Sequence, residues 1–305
     1  MNDKPLVSII CLCYNHGQYV QEALQSVKNQ SYTNIELIIV DDCSTDDSVE
    51  AIADWLKKNP EIVFIKNEHN LGNTQSFNKA FAKSNGSYII DLAADDALVD
   101  NCVELQLEAF AKSQFSNVGI VYGNAELVFE DDTHFCYFFE VDENKRRIKP
   151  QAVGDIYLSL LRLENNVCSV SAMARREVYD RFQGFNENLQ FEDYDFWIKT
   201  ARFYQFDFID SILVKKRELR NSLSSRRFKR LNKKTRLYNR STYQVVRNAL
   251  QLNTSKEENQ AVLKMIHFEM QIALRTIDPF LLLKYLKLHL TINFSLLFNK
   301  DFVRL

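Results

Sequence analysis

The chain has 305 residues, 46% hydrophobic and 26% charged, with a formal net charge of -2. That is a globular composition, long enough for one large domain or one domain with an appendage. Near-neutral charge argues against a dedicated nucleic-acid binder. No signal-peptide pattern opens the sequence, and no apolar run reaches the roughly 18 to 20 uninterrupted residues of a spanning helix. The six cysteines (11, 13, 43, 102, 136, 168) form no CxxC pair and sit mostly in apolar contexts. This predicts buried free thiols in a cytoplasmic protein rather than zinc ligands or disulfides.

Residues 6–13 are almost wholly apolar, which predicts a parallel strand covered on both faces. Val20, Ala23, Leu24 and Val27 then fall at helical spacing within 19–28. Residues 35–40 read as a second buried strand ending in Asp41-Asp42. Ser44, Thr45, Asp46 and Asp47 follow, placed to cap a helix over 48–57. Residues 62–65 make a third short strand. Asn70-Leu71-Gly72-Asn73 turns into a helix over 74–84, which Asn85-Gly86 closes with a residue suited to the left-handed cap. A fourth strand begins at Tyr88, and a helix runs over 100–113. Such alternation implies a doubly wound, mostly parallel sheet with right-handed crossovers.

Beyond this core, 118–129 reads as a strand leaving the sheet and 130–149 as a polar, aromatic hairpin or excursion. Residues 167–174 alternate like a strand, 177–182 and 192–203 are helical, and 206–214 returns to the sheet. After residue 224 the character changes. Eight Lys or Arg and no acid lie between 226 and 240, and the last helix, 279–298, is rich in Leu, Phe and Lys. The expected architecture is an α/β domain over 1–224 with a basic helical region over 225–305.

The fourth strand runs into Asp95-Asp96. Ligands of open α/β sheets bind past the carboxyl ends of the strands, so this pair should lie at a binding crevice. Adjacent carboxylates repel unless a cation or hydrogen-bond donors offset their charge. A divalent ion arriving with a phosphate ligand would do so, because Mg²⁺ takes few protein oxygens. The competing reading is that Asp95 caps the next helix and Asp96 is solvated.

Several segments fall in a suggestive order: 7–15 with Tyr14-Asn15, then Asn29-Gln30-Ser31-Tyr32, then 36–46 with Asp41-Asp42-Cys43-Ser44. Asn70-Leu71-Gly72, Asp95-Asp96 and Glu192-Asp193-Tyr194-Asp195-Phe196-Trp197 follow. Over residues 5–224 this series resembles the family 2 glycosyltransferases, which have the GT-A fold. The resemblance implies an inverting transfer from a nucleotide-sugar, UDP-linked by preference, to a glycan or lipid-linked acceptor in bacterial surface polysaccharide synthesis. It implies that Tyr14 lines or stacks on the base, Asp42 accepts from the base imide, and Asp95 holds the ribose or the metal shell. Asp96 would ligate Mn²⁺ or Mg²⁺, and Asp193 would be the general base. Glu192 and Trp197 would face the acceptor, and Arg217 or Arg220 the diphosphate.

Two departures stand out. Ala93 occupies the place of the first acid in the family's Asp-x-Asp-Asp, and Leu219 stands where a histidine is common. Simpler readings remain open: Tyr14 as a core aromatic, Asp42 as a helix cap, Asp193 as a solvated helix start, Trp197 as core, His16 as a loop residue. For 226–240 with the last helix, attachment to the anionic cytoplasmic leaflet is preferred over a homodimer or covering surface, and both over RNA. A sugar-nucleotidyltransferase would need a Gly-rich, Arg-containing phosphate loop after the first strand, which Cys13-Tyr14-Asn15-His16-Gly17 is not. A catalytically silent nucleotide-sugar-binding or scaffold protein of the same fold is the other alternative.

Overall fold

A computed structural model describes residues 4–164, 166–191, 193–219 and 227–298. The chain forms two compact units. The first comprises Met1–Gly154, Val167–Phe185 and Tyr204–Leu219, the second Asp155–Asn166, Asn186–Phe203 and Arg220–Leu305. The chain passes from the first unit to the second at 219/220. Two earlier segments, 155–166 and 186–203, nevertheless join the C-terminal helices.

The first unit holds the sheet. Its strands are β1 (Val7–Cys13), β2 (Ile35–Asp41), β3 (Val63–Lys66), β4 (Tyr88–Ala93), β5 (Ala97–Leu98), β6 (Val118–Val128), β7 (His134–Tyr137), β8 (Met173–Arg175) and β9 (Gln205–Arg217). Their order is β3-β2-β1-β4-β8-β6-β9-β5, with β7 on β6. Between β3 and β4 every pairing is parallel, and the connecting helices α1 (Val20–Lys28), α2 (Ser48–Leu56) and α3 (Asn73–Phe81) fall where the spacing predicts them. Val7, Ile9, Ile10, Ile38, Ile39, Ile89 and Ile90 are fully buried. Each such side chain contributes roughly 1.5–3 kcal/mol relative to exposure, which is why these short apolar runs settle as central strands. Register places Cys13 beside Asp41 and Leu12 beside Ala93, so β1, β2 and β4 end level.

At the other end of these strands the Glu36 carboxylate accepts hydrogen bonds from the Ser8 hydroxyl and from the backbone N–H groups of Asn85 and Gly86. Gly86 is therefore not the left-handed helix cap that its neighbour Asn85 suggested. A Cβ there would lie 2.4 Å from the Ser8 backbone nitrogen and hydroxyl, so glycine is needed for close approach.

The other half of the sheet is mixed. β8 is antiparallel to β4 and β6, β6 runs parallel to β9, and β5 is antiparallel to β9. Helices α4 (Cys102–Lys112) and α6 (Arg176–Phe182) belong to this unit. β7 closes a hairpin on β6 across a bulge at Leu127/Val128, the first of the two forms expected for 130–149. The strand expected over 167–174 is mostly replaced by a 3₁₀ turn at Ser169–Ser171. There the buried Ser171 hydroxyl accepts from the Gly123 N–H (3.1 Å) and has the carbonyls of Cys168 (2.8 Å) and Gly123 (2.9 Å) within donating distance of its one proton. All six cysteines are free; Cys11, Cys13, Cys102 and Cys168 are buried, and burial pushes the Cys13 thiol up to about 11.

The second unit is helical: α5 (Tyr157–Leu161), α7 (Asp193–Ala201), α8 (Lys233–Leu252), α9 (Lys256–Thr276) and α10 (Pro279–Leu297). Its ends are well capped. The Asn232 side chain accepts from the N–H of Lys234 and Thr235, Ser255 and Glu258 form a capping box, and Asp278 accepts from Leu281 ahead of Pro279. Ile277, between α9 and α10, has φ 59°, in the left-handed region. α10 is long and apolar enough by length and composition to cross a membrane, although Lys284 and Lys287 interrupt its apolar sequence.

Candidate active site

Three adjacent parallel strands deliver the central residues. The chain leaves β1 at Tyr14, which is 44% exposed, and leaves β2 at Asp42, whose N–H donates to the Cys13 carbonyl at 2.8 Å. It leaves β4 through Ala94, whose N–H donates to the Leu12 carbonyl at 2.9 Å, and reaches Asp95 and Asp96. Tyr14, Asp42 and the Asp95–Asp96 pair thus lie one to three residues past neighbouring carboxyl ends, where such sheets bind ligands.

Asp42 is buried, but not as a helix cap. Its Oδ1 accepts from Asn67 Nδ2 (2.9 Å) and the Leu71 N–H (2.8 Å), and its Oδ2 from the Gly72 N–H (2.8 Å). Lys79 in turn donates to Asn67 Oδ1 at 2.8 Å. A carboxylate oxygen has two lone-pair sites, so Oδ2 retains one acceptor position on a rigidly oriented group. Capping of α2 falls instead to Asp46, which accepts from the Ser48 N–H and hydroxyl and from the Gly17 N–H. Burial opposes the charge on Asp46, yet these bonds hold its carboxyl below the usual range.

Asp96 is 3% exposed, and its Oδ1 accepts from the Arg217 N–H at 2.9 Å. Burial, and next the Asp95 carboxylate, hold it well above the usual carboxylate range. A buried acid beside a like charge is short of positive charge. The donor set fits a hard divalent ion: two adjacent carboxylates and, among the described residues, no cluster of three or more His, Cys, Asp or Glu able to cage a metal by itself. Such a pair suits an ion that takes its remaining oxygens from phosphate and water. Ala93 adds no oxygen, and Asp91, inside β4, is half-buried.

Arg217 does not play the part expected of it. Its side chain is 2% exposed. Nη1 donates to the Asp95 carbonyl at 2.6 Å, Nη2 donates to Glu22 at 2.9 Å and to Asp132, and the guanidinium stacks over Tyr19 at 4.3 Å. These partners draw the guanidinium inward, so it is neither a surface charge nor a free hand for a diphosphate. It fastens the end of β9 to Asp95 and Asp96. His16, set aside as a loop residue, stands with Nδ1 3.5 Å from Asp95 Oδ1. Its place in a Tyr-Asn-His turn directly after β1 was the one available signal.

In the second unit Asp193 opens α7, and its Oδ1 accepts the Tyr194 N–H at 2.7 Å. Asp195 is buried and bonded to Asn248 (2.8 Å), a structural role. Trp197 is 7% exposed beside Phe196, the core alternative rather than an open platform. Glu192 and Arg220 lie outside the described residues.

A parallel-then-mixed sheet with Tyr14 past β1 and acids past β2 and β4 has the GT-A arrangement. The sequence model of "Glycosyl transferase family 2" matches residues 8–182, and the chain belongs to that family. An uncharacterized glycosyltransferase of Methanocaldococcus jannaschii is 30% identical over 223 residues, covering 70% of this chain and 71% of the relative. One from Haemophilus influenzae is 26% identical over 314 residues, covering 95% and 93%. Among solved structures, Staphylococcus aureus TarS 1–349 in complex with UDP-GlcNAc aligns with TM-score 0.58 at 13% identity, covering 97% of this chain and 92% of that fragment. The mannosyltransferase PcManGT of Pyrobaculum calidifontis, in complex with GDP-Man and Mn²⁺, aligns at 0.52 with 16% identity, covering 98% and 89%.

Proposed function

We propose that this glycosyltransferase moves a hexosyl or N-acetylhexosaminyl group, with inversion, from a UDP-sugar to a glycan or lipid-linked acceptor in bacterial surface polysaccharide synthesis. The observation that carries the reading is the buried Asp96 beside Asp95, level with Tyr14 and Asp42 at the ends of adjacent strands. The UDP-GlcNAc in TarS and the GDP-Man with Mn²⁺ in PcManGT support a donor of this class and a divalent ion.

Tyr14, exposed at the end of β1, offers a face to the base, and Asp42 Oδ2 offers an acceptor to its imide N–H. A base lacking that donor would leave the second acceptor position of Oδ2, beside the Gly72 N–H, without a partner, which favours bases that carry an imide N–H. Asp95 holds the ribose or an ion, with His16 standing beside it. Mn²⁺ or Mg²⁺ held by Asp96 and Asp95 would neutralise charge on the departing diphosphate. Asp193 takes the proton of the acceptor hydroxyl as that oxygen attacks the anomeric carbon opposite the nucleotide, a contribution of roughly 10²–10⁴-fold.

Release of UDP from a donor panel tests the reading. Asp193→Asn should lower transfer by roughly 10²-fold or more and leave nucleotide binding in place. EDTA should abolish both donor binding and turnover. Turnover by Asp193→Asn at the wild-type rate removes that base. A chain that binds UDP-sugar with Mn²⁺, yet releases no UDP with any donor, is the silent binding protein. Binding itself is read by thermal shift, since a ligand at 100 times its dissociation constant stabilises by about 2.7 kcal/mol.

A further inference from the structure

The near-neutral total conceals an uneven distribution of charge. Residues 220–305 hold 17 Lys and Arg against 5 Asp and Glu, net +12, whereas residues 1–219 hold 21 against 35, net -14. The basic part also contains the apolar helix α10. One face of α10 is buried within the helical unit through Leu281, Tyr285, Leu288 and Ile292. The outward face of such a helix is ordinarily polar. Here it presents Phe280, Leu283, Leu290, Phe294 and Leu297, each more than half exposed. The only charges on α10 are Lys284 and Lys287, both exposed on the same stripe.

The stripe does not stand alone. The Leu231 N–H donates to the Thr276 carbonyl at 3.2 Å, and Arg236 donates to the Ile277 carbonyl at 3.4 Å. These bonds seat the exposed Lys229, Arg230, Lys233 and Lys234 beside the turn into α10, next to exposed Leu231, Leu274 and Ile277.

We propose that this basic-rimmed apolar face docks on an anionic lipid bilayer, with α10 lying in the plane of the interface. Phe and Leu would enter the headgroup–acyl boundary while lysines reach anionic headgroups, the pattern of interfacial helices. α10 lies on the membrane rather than across it, because its inner face is already covered by protein. A second copy is the poorer occupant. Two-fold pairing would set Lys284, Lys287 and two net +12 regions against each other with no acid on α10 to compensate. The inference does not rest on sugar transfer, although a lipid-linked acceptor would give it a use.

Flotation of the full chain with vesicles tests it without any turnover. Vesicles of phosphatidylcholine with about one-third phosphatidylglycerol should carry the protein, pure phosphatidylcholine far less, and high salt should weaken the binding. Leu290→Glu/Phe294→Glu and, separately, Lys284→Glu/Lys287→Glu should each lower the bound fraction roughly tenfold. All four positions are exposed, so circular dichroism and melting temperature should stay at wild-type values. The proposal is overturned by no flotation with anionic vesicles, by flotation indifferent to both double variants, or by a lipid-free dimer that Leu290→Glu/Phe294→Glu dissociates while wild-type protein stays off vesicles. Capture of RNA through 229–234 with no vesicle binding would overturn it equally.

Discussion

Within the sheet, β3-β2-β1-β4 and β8-β6-β9-β5 divide the labour of the candidate site. The parallel half ends in residues free to meet a ligand: an exposed Tyr14, an oriented Asp42, and Asp95 with Asp96. The mixed half ends in residues that meet only protein. Arg217 and the two-residue β5, paired antiparallel to β9, hold the acidic pair from behind. The contrast shows how the buried Asp96 is held beside a like charge: the second set of strands supplies the Arg217 N–H to its carboxylate.

The sharpest break between the halves is Asp96→Asn. Asparagine retains the oxygen that accepts the Arg217 N–H and removes the charge that burial and Asp95 oppose. Transfer should fall by roughly 10²-fold or more, while the melting temperature without metal should hold or rise. Arg217→Met comes next. It deletes the bonds to Asp95, Glu22 and Asp132 and should cost roughly 2–3 kcal/mol in denaturant unfolding. Metal affinity should fall alongside, because the acidic pair loses its support. Glu22→Gln, which leaves the Asp132 contact in place, should cost well under half of that.

The smallest effect belongs to the far end of the parallel half. Burial opposes the Glu36 charge, but bonds from Ser8, Asn85 and Gly86 hold its carboxyl below its ordinary 4.5. Because the folded-state value is depressed, this stabilisation is present above that ordinary value and disappears as pH falls through the folded one. Glu36→Gln should therefore flatten the acid limb of a melting-temperature profile as pH falls below the ordinary 4.5.

The two halves were also unequally legible. Residues 6–13, 35–40 and 88–92 announce themselves as short apolar runs ending in acids or turn residues, because a strand covered on both faces needs little else. β5 left no mark, since Ala97-Leu98 is too short for any periodicity. The partners of Arg217 lie 195, 85 and 122 residues away in sequence, beyond any local pattern. Ser171 misled for a related reason: alternation predicted a strand, and its hydroxyl instead meets Gly123 from within a turn. The acids at 42, 95 and 96 were legible by type and position. Their hydrogen-bond partners, and the nearness of His16 to Asp95, were not.

Ile277 links α9 to α10 with φ 59°, a conformation that disfavours β-branched residues by roughly 1–3 kcal/mol. Glycine would adopt it without that penalty. The N–H of Asp278 donates to the Ala273 carbonyl at 2.9 Å, so the surrounding turn enforces the geometry. The side chain that incurs the strain is also half in solvent. Replacing Ile277 with glycine would therefore relax the corner between α9 and α10 and remove one aliphatic side chain from the surface.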